Sequence, residues 1–138
     1  MKEQAQESGF TNSITLGDVY IPVMVRITHV GVGGNAGSGV YQYTCYPEVV
    51  HVTQSRTIIG YQLSPDSPAE LGFTGLYSSD SLYRPQLLQI GPTVGRYIQV
   101  MHLNQEAFLI NVALQIQDTQ KLVMLSVDPQ VTNEPNPA

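Results

Sequence analysis

The sequence predicts an all-β protein, a single β-sandwich of roughly seven to nine antiparallel strands. Three observations predict it. Apolar residues recur with a period of two, and a helical period is nearly absent. Runs rich in Val, Ile, Thr and Tyr alternate with short clusters of Gly, Pro, Asn, Asp and Ser. The chain has 138 residues, enough for one hydrophobic core and too few for two ordinary ones.

The elements follow in order. Residues 1–12 are polar and read as a flexible N-terminal tail, residues 13–128 as the sandwich, and 129–138 as a proline-rich C-terminal peptide. The first strand spans 19–30, with Val23, Val25 and Ile27 on one face and Arg26 and Thr28 on the other. Pro22 near its start points to an edge position or a bend. The glycine-rich segment 31–39 reads as a hairpin loop. A second strand over 40–46 alternates Tyr41, Tyr43 and Cys45 against Gln42 and Thr44. Further strands are expected over 49–53, 57–63, 86–90, 96–103, 106–117 and 121–127. The stretch 106–117 is the clearest, with Phe108, Ile110, Val112, Leu114 and Ile116 on one face. Turn clusters fall at 64–68, 78–81 and Gly91-Pro92, and short hairpin loops at 104–105 and 118–120. Three prolines in the last ten residues argue against an ordinary central strand there.

Composition narrows the function. Charged residues make up only 12%, and six basic residues against eleven acidic ones give a net charge of −5. Nucleic acids and anionic membranes recruit clustered Lys and Arg, so neither is an expected partner. The N-terminus lacks the apolar stretch of a signal peptide, and no segment is apolar for long enough to span a bilayer as a helix. A cytoplasmic protein is the simplest expectation. A single cysteine, Cys45, excludes an intramolecular disulfide and a multi-thiolate metal site.

Each candidate site in the sequence also has a plainer structural role. Gly31-x-Gly33-x-x-Ala36 loosely matches a dinucleotide fingerprint, but a strand pattern follows where the phosphate-binding helix would have to begin. His29, His51 and His102 each lie in an expected strand, and none has a His or carboxylate at metal-ligand spacing along the chain. Ordinary sheet histidines are therefore expected, with no cofactor and no metal. Cys45 reads as a packing residue, and no Gly-x-Ser-x-Gly marks a serine nucleophile. The eight tyrosines would suit a sugar or aromatic ligand, but tyrosine also fills half-buried strand positions.

The dipeptide Asp128-Pro129 closes the last expected strand. An Asp-Pro bond is prone to intramolecular cleavage. The carboxyl can close a five-membered ring on its own carbonyl carbon, and proline leaves as a basic amine from a tertiary amide. A second carboxylate can instead activate water toward the same carbonyl.

The segment 125–135 resembles the signature of the bacterial DP-EP family, small proteins with an Asp-Pro and a Glu-Pro near the C-terminus. Asp128-Pro129 and Glu134-Pro135 match those two dipeptides. The resemblance implies a β-sandwich and a self-cleaving, aspartic-type endopeptidase activity. Asp128 would carry the attacked carbonyl, Pro129 would be the leaving amine, and the released peptide would stay bound in the sheet. It also implies capture of the cleaved Asp by a lysine. The only lysines here are Lys2 and Lys121. Lys121 stands seven residues upstream in the same expected strand, roughly 23 Å away at ~3.3 Å per residue. Water is therefore the expected final nucleophile. Glu134, as half of the signature, leads as its activator, with Asp118, Glu106 and Asp18 as alternatives. The competing reading is a non-catalytic module that assembles with copies of itself through its sheet edges and tail.

Overall fold

The computed structural model describes residues 19–80, 85–91, 95–107 and 109–135. The expected tail 1–12, together with Lys2, Asp18, Ser81, Pro92 and Phe108, lies outside the described residues. The described residues form ten strands: β1 (Val19–His29), β2 (Tyr41–Tyr46), β3 (Val49–Val52), β4 (Thr57–Leu63), β5 (Leu71–Ser78), β6 (Leu87–Gln89), β7 (Tyr97–His102), β8 (Leu109–Asp118), β9 (Val123–Val127) and β10 (Gln130–Asn133).

They form two five-stranded sheets. The first has the order β2-β1-β4-β7-β6. The second has the order β3-β10-β8-β5, with β9 also paired to β8. One hydrophobic core lies between them, drawing Val23, Val25 and Ile27 from β1 and Ile110, Val112, Leu114 and Ile116 from β8. The period-two pattern accounts for both strands. In β1 the intervening Met24, Arg26 and Thr28 are exposed, and in β8 so are Leu109 and Asn111. The all-β sandwich predicted from the sequence is the fold.

Two features depart from the sequence reading. First, the sheets are mixed rather than wholly antiparallel. β1 runs parallel to β4, from Val19↔Thr57 to Val25↔Leu63, and β3 runs parallel to β10. A parallel neighbour needs a long crossover. Here the chain supplies one by passing from β1 through β2 and across to β3 in the other sheet before returning as β4. Second, the C-terminal segment does form a central strand. β10 lies between β3 and β8, because the prolines at 129 and 135 bracket Gln130–Asn133 without entering it. The sandwich thus extends past residue 128.

β5 falls where the sequence shows no regular alternation. Gly72 and Gly75 interrupt its alternation, and its register against β8 shifts between Phe73 and Gly75, a bulge. Pro22 behaves as an edge residue: the β1–β2 ladder begins only at Met24↔Tyr46, so Pro22 borders β4 alone. The 31–39 segment is the β1–β2 hairpin loop, and a strand, not a helix, follows its glycines. At Gly37, with φ +57°, a Cβ would stand 2.6 Å from the Tyr41 ring, so glycine there lets the loop lie flat on that tyrosine. No helix among the described residues is long and apolar enough to cross a membrane.

Candidate functional site

The Asp128-Pro129 bond joins β9 to β10, and both strands pair with β8 in a single register. Leu114 faces Val127 and Asn111 faces Gln130, three steps on each side, so no residue is gained or lost at the junction. The bond therefore lies inside what is in effect one long strand. Its flanks are held. The Pro129 carbonyl accepts the Val112 N–H at 3.0 Å, and Asp128 donates its own N–H to the Tyr43 hydroxyl at 3.2 Å. The Ser126 hydroxyl donates to Asp128 Oδ1 at 3.1 Å. Pro129 has no N–H to return to β8, so the ladder is locally incomplete at the bond itself.

On the side away from β8 no strand among the described residues pairs with the junction, because the β3 ladder begins only at Gln130. A cavity of about 360 Å³ opens there, lined by Asp128, Pro129, Asn35, Tyr43, Cys45 and Glu48 among others. Asp128 is exposed to it, while Pro129 is buried. Burial pushes the Cys45 thiol up to about 11, helped by the negative charges of Glu48 and Asp128. The thiol stays protonated and is no nucleophile. The same shift shows that both carboxylates lie within electrostatic reach of one sulfur.

The other carboxylates considered for this bond are elsewhere. Glu134 follows β10 at its far end, six residues from Asp128 and so ~20 Å along an extended chain. There its N–H donates to the Val52 carbonyl at 2.8 Å, its carbonyl accepts from Asn104 at 3.0 Å, and its carboxylate lies 3.5 Å from His51 Nε2. The fold does not bring Glu134 to the Asp-Pro bond. It anchors the strand that follows the bond. The Glu106 carbonyl accepts from Gln86 and from Asn133, in the polar cluster at that same end of β10. Asp118 pairs with Val123 at the opposite end of β9. Glu48 is the carboxylate that shares the cavity with Asp128, and the sequence reading did not single it out. Only the β2–β3 corner, at a cis Tyr46-Pro47 bond, brings it there. Lys121 lies in the β8–β9 turn, two residues before β9 and not within that strand as expected, and it stands beyond the end of β9 remote from Asp128.

The histidines have separate surroundings. His51 Nδ1 lies 2.7 Å from the Thr132 hydroxyl. His102 is fully buried, its Nδ1 accepting the Asn104 N–H at 2.9 Å, and its Nε2 has no hydrogen-bond partner among the described residues. His29, at the end of β1, meets two carboxylates from distant parts of the chain, Glu70 and Asp118. Asp118 is completely buried and accepts from the Tyr41 hydroxyl at 2.5 Å and from the N–H groups of Gln120 and Lys121 at 3.0 Å each. Burial pushes its carboxyl up, but those hydrogen bonds and the neighbouring His29 outweigh it and hold Asp118 below the usual carboxylate range. Tyr41 is raised to about 12 by burial and by Asp118, so it remains a phenol donor.

No protein-family model matches this chain, and no curated protein matches it either.

Proposed function

We propose that the protein hydrolyses its own Asp128-Pro129 bond once, without a cofactor, and retains the C-terminal peptide as β10. The observation that carries this reading is the position of the bond inside a strand of unbroken register, with its outer side open to a cavity large enough to admit water. Pairing on both sides holds the reacting groups together, which replaces a bimolecular encounter with a local one. The Asp128 carboxylate attacks its own peptide carbonyl carbon and closes a five-membered anhydride. The C–N bond breaks, and the Pro129 nitrogen takes up a proton and leaves as a secondary amine. Water from the cavity then opens the anhydride, leaving Asp128 with a new α-carboxylate. Glu48, the other carboxyl lining that cavity, is assigned the proton transfer to the departing nitrogen.

Intact mass under denaturing conditions, followed over days at pH 5 and pH 8, tests this. The expected result is loss of a peptide beginning at Pro129, while size exclusion under native conditions still shows one species. Asp128→Ala abolishes cleavage, and Glu48→Gln slows it about 10-fold or more, within the usual range for a general acid. A mass unchanged at both pH values would overturn the proposal in favour of a non-catalytic self-assembly module.

A further inference from the structure

We infer that His29, Glu70 and Asp118 form a binding site for one divalent transition-metal ion of the zinc class, remote from the Asp128-Pro129 bond. The inference does not depend on self-cleavage. Asp118 faces Val123 at the start of β9, and Asp128 follows the end of that strand, five residues on and ~17 Å away.

The donor set is one imidazole nitrogen and two carboxylate oxygens, and all three atoms lie within 4.8 Å of one another. Each comes from a different element: the end of β1, the residue before β5 and the end of β8. His29 Nε2 and Glu70 Oε2 are 3.5 Å apart. That is long for a charge-assisted hydrogen bond, which prefers ~2.7–2.9 Å. It is close to the ~3.4 Å that separates two ligands on a tetrahedral ion with bonds of ~2.0–2.1 Å. Among the described residues no Lys or Arg side chain pairs with either carboxylate. The two carboxylates carry the charge that a divalent cation balances, and the imidazole supplies a nitrogen donor.

The surroundings are those of ligands held in place before the ion arrives. Tyr41 donates to Asp118 Oδ2, the Gln120 and Lys121 N–H groups hold Oδ1, and the Tyr41 ring lies against His29 with centroids 4.6 Å apart. The Glu70 backbone carbonyl accepts both the N–H and the hydroxyl of Thr119, 3.1 Å each, which locks the Glu70 loop to the β8–β9 turn. Outer contacts of this kind orient metal ligands and raise affinity. The His29 side chain is 34% exposed and Glu70 16%, so an ion has a route in and a water can complete four-coordination.

The test is titration of the chelator-treated full chain with Zn²⁺ by calorimetry and with Co²⁺ by visible absorption. One equivalent should bind, and Co²⁺ should give the intense bands of a tetrahedral site. His29→Ala, a change at a partly exposed side chain, should weaken binding about 100-fold. Tyr41→Phe should weaken it about 10-fold, as loss of an outer contact does. His51→Ala should leave it unchanged. Absence of binding by the wild-type chain, or binding by His29→Ala equal to wild type, would overturn the inference. So would loss of binding in His51→Ala alone, which would move the site to the end of β10. Cleavage at Asp128 should proceed equally in His29→Ala, so the two proposals fail separately.

Discussion

At the scale of single residues, His102 makes the fold sensitive to acid. Burial lowers its pKa to about 4 from an ordinary 6.5, against a smaller upward pull from Asp80. The unfolded chain therefore binds a proton that the folded chain refuses. The resulting stability is fully present above pH 6.5 and is lost as pH falls from there toward 4. The loss is about 3 kcal/mol, at ~1.4 kcal/mol per pKa unit. Denaturant midpoints at pH 7, 5.5 and 4 should fall steeply in the wild type. His102→Asn keeps an acceptor for the Asn104 N–H and should flatten that fall. Cys45 makes the opposite case, a group kept inert. With its thiol at about 11 and its side chain buried, it should react with disulfide reagents at pH 8 about two orders of magnitude more slowly than a free thiol, and at full rate after denaturation.

At the scale of elements, β10 decides whether the second sheet is whole. Among the described residues β3 pairs with no strand but β10, and β10 also covers the first residues of β8. A chain ending at residue 128 would leave two strand edges bare. It should lose cooperative unfolding, and a synthetic peptide covering 129–138 should restore it. Within β10, Val131 is completely buried, so Val131→Ala should cost about 2 kcal/mol in urea unfolding, from two buried carbons and the space they leave. The same pairing is what would retain the peptide after cleavage.

At the scale of the whole molecule, Arg96 ties the two sheets together at the crossover from β4 to β5. Nη1 donates to the Pro68 and Leu71 carbonyls at 2.8 and 3.2 Å, and Nη2 donates to Ser64 and Ser67 at 2.8 and 3.1 Å. The clamp closes the loop that leads into Glu70, so it also sets where that carboxylate stands. Arg96→Ala should lower stability by about 3 kcal/mol, ~10 °C in Tm for a domain of this size. Arg96→Lys should recover less than half of that, because an ammonium has three donors and no planar fork.

What the sequence determined by itself is local. The period-two pattern set the all-β class and eight of the strands, and it identified the inward faces of β1 and β8, because side-chain direction in a strand is settled by the residue's own place in the alternation. It also marks Asp128-Pro129, the bond of the proposed cleavage, because that chemistry needs only two adjacent residues. β5 and β10 escaped, one because glycines and a bulge break its pattern, the other because four residues between prolines are too few to display a period. Strand direction escaped as well, since parallel pairing of β1 with β4 depends on the path taken between them. Only the tertiary structure put Glu48, and not Glu134, in the cavity beside the bond. Only it joined His29 to Glu70 across 41 positions and Tyr41 to Asp118 across 77. Contacts of that range are products of sheet pairing and crossover, and no spacing along the chain encodes them.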